Sequence, residues 1–286
     1  MLYIVRDDEF ENGFRIHRPT CKPIGPSQGR VSVTLQPHEE LMLEVNRRFF
    51  DHPDAINALS PDALDCVRLQ YRAMDDSEAP LFSNAVSCLA RLKKLKELEF
   101  IKSDVTDADL LKLSGLTELQ RLSAEAAFIT GTSLAKLNWK NMREFYLQSD
   151  QIKPENVSAF ARFPKLEALN LSSTHLTGPA LKTLAGCSKL KCLRLNHNHS
   201  LGDDCLPTLL KLTKLQVLEL KETAVTTRGL ESLKPLPLKC LSITADKNTD
   251  VTKLKAIFGK ALRLTASRGG VPGDFERTIF APTSRD

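Results

Sequence analysis

The chain has 286 residues, with 40 Lys and Arg against 35 Asp and Glu, for a formal net charge of +5. The charges are spread over both halves rather than gathered into a block, which favours solubility and gives no reason to expect a nucleic-acid partner. No run approaches about 18 consecutive apolar residues, so no segment is expected to span a bilayer and no membrane partner is expected. Met1 to Asp8 turns acidic without a basic start, apolar core and cleavage site in series, so export by a standard signal is not expected. The seven cysteines are odd in number and lack paired spacing; they fit reduced thiols and a cytoplasmic location.

Residues 1–39 carry short alternating stretches, Leu2 to Val5, Phe14 to Ile16 and Val31 to Leu35, separated by Gly and Pro. They predict a strand-rich N-terminal cap. Residues 40–94 read as degenerate leading repeats, because Leu64-x-x-Val67-x-Leu69 matches the later strand motif and Leu43-x-Val45 lies 24 residues before Val67-x-Leu69. The spacing from Leu64 to Leu95 widens to 31, and the surplus includes the polar stretch Asp75 to Pro80, expected to leave the stack as a loop. Over 95–260 a Leu-x-x-Leu-x-Leu pattern returns at Leu95, Leu119, Met142, Leu166, Leu190, Leu215 and Leu238, with spacings of 24, 23, 24, 24, 25 and 23. Residues 261–286 form a C-terminal cap and tail: Leu262-x-Leu264 could add a last strand, and Ser267 to Gly273 then breaks the periodicity.

Within one copy the apolar period changes. Leu98 and Phe100 alternate as a short strand, whereas Leu110, Leu113 and Leu116 line one face of a helix. Thr106, Thr130, Thr177, Thr226 and Thr252 precede the helical segments and are expected N-caps, and Pro154 suits a first helical position. Three residues past Phe100 and its equivalents stand Ser103, Ala127, Asp150, Thr174, Asn198, Thr223 and Asp246. All but Ala127 are small and polar, able to partner the backbone groups of a bend leaving the strand; a looser bend or a water is expected at Ala127.

The segments Ser172 to Leu181 and Lys221 to Leu230, with their Thr-containing turn before the helix, resemble the leucine-rich repeat family in its 24-residue variety. The resemblance covers at least residues 95–258. It implies an α/β solenoid, a curved horseshoe with a parallel β-sheet on the concave face and helices on the convex face, and protein binding through the sheet. It implies no reaction.

Residues beside the inward leucines face out of the sheet, so successive repeats write columns across the concave surface. One column reads Glu99, Ser123, Tyr146, Asn170, Arg194, Glu219, Ser242, and the column before it Glu97, Arg121, Glu144, Ala168, Cys192, Val217, Cys240. With Glu125 in a third column, the early half presents four exposed carboxylates, and the later half a stripe of small apolar residues beside Arg194. Tyr and Arg are frequent interface anchors, so Tyr146, Asn170, Arg194 and Glu219, flanked by Cys192 and Val217, are the candidate protein-binding residues. The competing reading is that these positions accept any residue suited to a strand, and a third is that the convex helices or the inserted loop make the contacts.

Chemistry has a single hint. His175 and His199 share a repeat position and His197 lies close by, so three imidazoles could hold a zinc-like ion, although His-x-His in a polar turn is more often simply solvated. No phosphate-binding loop, dinucleotide fingerprint, zinc-protease or nucleophile-elbow element appears, and no cofactor or catalytic residue is expected. The reading is a non-enzymatic scaffold that binds another protein through its concave sheet. The alternatives are an adaptor or substrate-recognition subunit in a ubiquitin-ligase-like or kinase pathway, and a metal-binding protein built on His175, His197 and His199.

Overall fold

A strand that leads into a helical return exposes one apolar face of each, and stacking successive copies removes both from water. The structure, a computed structural model, describes residues 2–6, 10–11, 14–15, 22–25, 33–37, 39–45, 47–71, 78–125, 127–148 and 151–266. Twelve described strands form one sheet. Its order from the C-terminal edge is Leu262–Ala266, Cys240–Ala245, Val217–Leu220, Cys192–Arg194, Ala168–Asn170, Glu144–Tyr146, Arg121–Glu125, Glu97–Ile101, Cys66–Gln70, Glu39–Val45, Leu2–Arg6 and Lys22–Gly25. From Glu39–Val45 to the C-terminal edge every pairing is parallel. The sheet forms the concave face and the helical returns the convex face.

Leu43 pairs with Val67 and Val45 with Leu69, the register that the 24-residue offset predicts. At the N-terminal end Leu2–Arg6 pairs antiparallel with Glu39–Val45, and Lys22–Gly25 pairs antiparallel with Leu2–Arg6 at the outer edge. Pro23 is tolerated there because an edge strand has one side without a ladder. Phe14–Arg15 joins Phe10–Glu11 in a separate two-stranded sheet, and Val33 to Leu35 takes no regular secondary structure. Ile16, Cys21, Val31, Ser267 and the remaining tail lie outside the described residues.

The inward side chains make one continuous core. Leu95, Leu98, Leu110, Leu113 and Leu116 are all 0% exposed, each a burial of about 2 kcal/mol. Two aromatic groups fill its wider parts. Phe50 stacks on Tyr71 at 4.5 Å and lies 5.7 Å from Phe82, while Phe145 meets Phe160 and Phe163 edge-on at 5.5 and 4.9 Å. Buried Trp139 keeps its indole N–H paired by donating to the Leu113 carbonyl at 3.0 Å.

The convex returns are shorter than the leucine period suggests. The first regular return is a six-residue helix, Asp107–Lys112, and several later ones are 3-10 turns or single α-turns. Pro179 and Pro207 sit in the first turns of two of them, and Gly229 lies inside Thr227–Glu231, residue types that do not sustain long helices. The expected loop at Asp75 to Pro80 is overtaken at its end by a helix. Ala79 and Pro80 open an 11-residue helix, Ala79–Leu89, because proline is favoured in a first turn; Asp75 to Ser77 lie outside the described residues.

The caps divide. Thr106 forms a full capping box with Asp109, and the Thr226 hydroxyl accepts from the Gly229 amide at 3.0 Å. Pro154 occupies the first turn of Pro154–Arg162 as expected. Thr177 sits at an N-cap without a side-chain bond. Thr252 lies inside Val251–Phe258, whose cap is Asp250, and the Thr130 hydroxyl instead donates to Asp107 at 2.8 Å. In those two copies a carboxylate, the better acceptor, takes the capping role.

The polar turn column behaves as a ladder. Asn198, 0% exposed, accepts from the Thr174 and Leu176 amides at 3.2 and 2.9 Å and donates to the Leu171 and Leu195 carbonyls at 2.9 and 3.0 Å. Thr174 and Thr223 each donate to the carbonyl three residues back, at 2.6 and 2.8 Å. Ala127 is buried in the core, Asp246 closes an exposed turn with Thr249, and Asp150 lies outside the described residues. Directly before ladder positions stand Lys102, Ser173, His197 and Glu222, all with φ between 47° and 59°. The bend thus places a left-handed residue ahead of the ladder group, and this chain fills it without glycine.

Candidate functional site

The outer face of the sheet carries the candidate residues in register. Tyr146, Asn170, Arg194 and Glu219 are successive partners across four strands, with Ala168, Cys192 and Val217 aligned two residues earlier. Ala168, Cys192, Val217 and Cys240 make their own hydrophobic cluster, separate from the core, against which Tyr146 packs. The apolar stripe is therefore a contiguous cluster across four strands.

These side chains are far less exposed than an open sheet face would leave them. Asn170 and Glu219 are 3% and 6% exposed, and both are held in polar contacts. Glu219 pairs with Arg194 Nε at 3.1 Å and accepts from Asn196 Nδ2 at 2.7 Å, while the Asn196 carbonyl oxygen accepts from the Lys221 amide at 2.9 Å. Asn170 accepts from the Ser172 amide at 3.0 Å and donates to Gln148 at 3.4 Å. Arg194 is consequently a half-buried ion-pair member rather than a solvated cation.

The early half differs from its expectation in the same way. Of the four carboxylates expected to be exposed, Glu97, Glu99 and Glu144 are buried and only Glu125 is exposed. For Glu97 and Glu99 the reason is charge pairing across strands: Arg121 reaches Glu97 at 2.9 Å and Glu40 at 3.2 Å, and Arg68 reaches Glu99 at 2.5 Å and Glu44 at 3.6 Å. Burial lowers the pKa of the Arg121 guanidinium, but the charges of Glu97 and Glu40 outweigh it and hold that pKa above its ordinary value. An open depression of about 60 Å³ lies here, lined by Glu97, Glu99, Arg121, Ser123, Glu144 and Tyr146 among others.

Arg68, Glu40 and Cys66 belong to this network and were missed in the sequence. The columns begin two strands before the clear repeats, and Met42 and Cys66 continue the column of Glu97 and Arg121. The column steps back 31 residues from Glu97 to Cys66 and only then 24 to Met42, so the insertion between those strands hides these residues from a fixed 24-residue offset. The whole face is electrically divided. From Glu39–Val45 to Glu144–Tyr146 it carries Glu40, Glu44, Glu97, Glu99, Glu125 and Glu144 against Arg68 and Arg121. From Ala168–Asn170 onward it carries Glu219 against Arg194, Lys221 and Arg263.

Neither the Cys192 thiol nor the phenol of this cluster is activated for covalent chemistry. Burial pushes the Cys192 thiol and the Tyr146 hydroxyl up, with neighbouring carboxylate charge adding to the Tyr146 shift, so both stay protonated near neutrality. Burial also raises Cys187 to about 11 and Cys205 to about 12. The histidine reading does not gather into a site. His197 and His199 meet edge-on with ring centroids 6.4 Å apart, and His175, His197 and His199 do not form a converging ligand group. The bend spreads them, since His175 and His197 sit at different left-handed positions of successive turns. Among the described residues the converging group is Glu40, Cys66 and Glu97. Arg121 already pairs with both of its carboxylates, and this competes with a metal ion there.

A family model described as a leucine-rich repeat matches residues 164–185 and 186–204. A search of curated protein sequences finds no match. Among solved structures, human 5T4 (Wnt-activated inhibitory factor 1, trophoblast glycoprotein) is 19% identical, with 71% of this chain and 78% of that chain covered and a TM-score of 0.51. Internalin InlF of Listeria monocytogenes is 20% identical over 72% of this chain and 68% of its own, with a TM-score of 0.48. Internalin C2 of the same organism is 25% identical over 65% and 84%, with a TM-score of 0.46. The repeat period and the parallel ladder in that register give this chain the leucine-rich repeat fold, and the family model matches two of its repeats.

Proposed function

We propose that the chain is a non-catalytic recognition scaffold that binds another protein across its concave sheet, with Tyr146, Asn170, Arg194 and Glu219 at the contact and Cys192 and Val217 in the apolar floor. The observation that carries this reading is the second hydrophobic cluster. Ala168, Cys192, Val217 and Cys240 gather with Tyr146 in a cluster separate from the core, on the opposite face of the sheet. An aromatic ring bordering an apolar floor and a ring of paired charges is the composition of an interface centre. Proteins of this family are typically binding modules, and the raised thiol and phenol pKa values agree with recognition rather than covalent catalysis.

We place the protein in a reducing compartment, the cytoplasm. The reading is supported by six described cysteines that are all free thiols, five of them buried. No described helix is long and apolar enough to cross a membrane.

Affinity capture from native lysate tests the binding reading. Wild type is compared with a Tyr146→Ala/Arg194→Gln double variant and with a convex control, Lys182→Glu/Lys211→Glu, after circular dichroism confirms that each is folded. Loss of a specific protein from the concave variant alone is the expected result. Loss from the convex control alone would overturn the concave assignment.

A further inference from the structure

We propose that the rim along which the chain enters the sheet is a second docking surface, and that it binds an acidic, extended polypeptide segment through Lys165, Lys189, Lys191, Lys214 and Lys239. This goes beyond the concave-face reading and does not rest on it. Leu166, Leu190 and Leu215 are buried just before their strands, with exposed or half-buried residues on either side. Over four successive copies the eight flanking positions, 165 and 167, 189 and 191, 214 and 216, 237 and 239, hold five lysines and one carboxylate, Glu167. Spread along the sequence they form no basic block, and stacking gathers them. The Lys191, Gln216 and Lys239 amides donate to the Glu167, Lys191 and Gln216 carbonyls at 2.8, 2.7 and 2.7 Å, which sets the row at the strand spacing of about 4.8 Å.

The charge on this rim is open. Among the described residues Lys189, Lys214 and Lys239 are exposed and make no ion pair. Lys165 donates to the neutral Asn141 side chain at 2.6 Å, which leaves its charge uncompensated. Glu167 is shared between Arg143 and Lys191 at 3.2 and 3.1 Å, one carboxylate for two cations. The bends on the opposite rim, at residues 196–204, 221–227 and 245–250, reverse the balance with five carboxylates against two lysines. The excess of cations therefore belongs to one edge of the solenoid and steers an anionic partner onto it. The rim also selects among anions. Single-stranded nucleic acid is held by aromatic rings that stack its bases, and a bilayer surface by inserted apolar side chains. Among the described residues the large apolar side chains left exposed are Leu35 and Phe128, neither of them on this rim. Point charges on flexible four-carbon stems suit the carboxylates of an extended segment, which need no fixed fork geometry.

The probe is a fluorescein-labelled Glu-Glu-Ser repeat peptide, with a Gln-Gln-Ser peptide of equal length as control, followed by fluorescence anisotropy. The acidic peptide is expected to bind wild type at least about tenfold more tightly than the neutral one, and to weaken as salt rises. Lys189→Glu/Lys214→Glu is expected to weaken it at least about fivefold. Lys153→Glu/Lys247→Glu makes the same change in net charge at exposed positions on the opposite rim and is expected to stay within about twofold of wild type. Equal binding of the two peptides, or equal loss in the two double variants, overturns the inference. Labelled oligouridylate and phosphatidylserine vesicles are titrated in parallel, and tighter binding of either through Lys189 and Lys214 overturns the polypeptide assignment. The concave variant Tyr146→Ala/Arg194→Gln is expected to bind the acidic peptide as wild type does, whether or not it loses a captured protein. Loss of peptide binding in that variant, with Lys189→Glu/Lys214→Glu unchanged, would place the anion on the concave face and overturn the rim.

Discussion

Replacing Asn198 by alanine should be among the most damaging polar substitutions in the chain. Its amide joins two repeats, accepting from the backbone of Thr174 and Leu176 and donating to the carbonyls of Leu171 and Leu195, four bonds between 2.9 and 3.2 Å at a position 0% exposed. Alanine leaves two N–H and two carbonyl groups in a site closed to bulk water, each costing about 1–3 kcal/mol when unpaired. Relaxation and the second lone pair of each carbonyl reduce the sum, so a loss of about 4 kcal/mol is expected. Asn198→Thr should lose less, because Thr174 and Thr223 satisfy the carbonyl three residues back with a hydroxyl. Asn198→Asp keeps the acceptor, but its carboxylate faces two carbonyls, and it should fall near the alanine variant. Urea unfolding followed by circular dichroism gives the order wild type, threonine, then alanine and aspartate. A loss below about 1 kcal/mol for Asn198→Ala would show that the bend does not depend on the ladder and would refute the reasoning.

Arg194→Glu should cost about 2 kcal/mol, discounted for partial exposure, because it places a second carboxylate beside Glu219; Leu193→Ala, 0% exposed in the adjoining core, should cost about 2–5 kcal/mol. Urea midpoints check both, and an unchanged midpoint for Arg194→Glu would place that side chain in solvent. His197 is exposed and held at φ 59°, so His197→Gly should stabilise by up to about 1 kcal/mol and His197→Val should destabilise by a similar amount; thermal melts giving the opposite order would contradict the left-handed bend. For Asp107, burial alone would raise the pKa, but hydrogen bonds from the amides and hydroxyls of Ser133 and Thr130 hold it below 3.8. Its contribution is therefore complete above the unfolded value and disappears as pH falls through the lower folded value. Asp107→Asn should melt below wild type at neutral pH, with the gap narrowing as pH falls below the ordinary carboxylate range; a gap constant with pH would remove the carboxylate from the inter-repeat link.

The period of the leucines determined the solenoid, because a strand and a return of fixed length can bury their apolar faces only by stacking in register. It also determined which residues share a column: Tyr146, Asn170, Arg194 and Glu219 stand opposite one another as the 23- to 25-residue offsets require. The ladder at Asn198 and Thr174 was legible for the same reason, since small polar groups recurring at a bend have backbone partners to satisfy. Helix length was not legible. Leu113 and Leu116 keep helical spacing but lie past the end of Asp107–Lys112, since apolar residues every three positions suit a 3-10 turn as well as an α-helix.

Burial and pairing on the concave face belonged to the tertiary structure alone. Alternation assigns Glu97, Arg121 and Glu144 to the outer face, but whether each meets solvent depends on neighbours 24 or more residues away and on the direction taken by long side chains. Arg121 reaches across two strands to Glu40, 81 residues back in the chain. A local pattern carries no information about such a reach, because the energy that decides it is the Coulomb attraction between groups brought close only by the stacked strands.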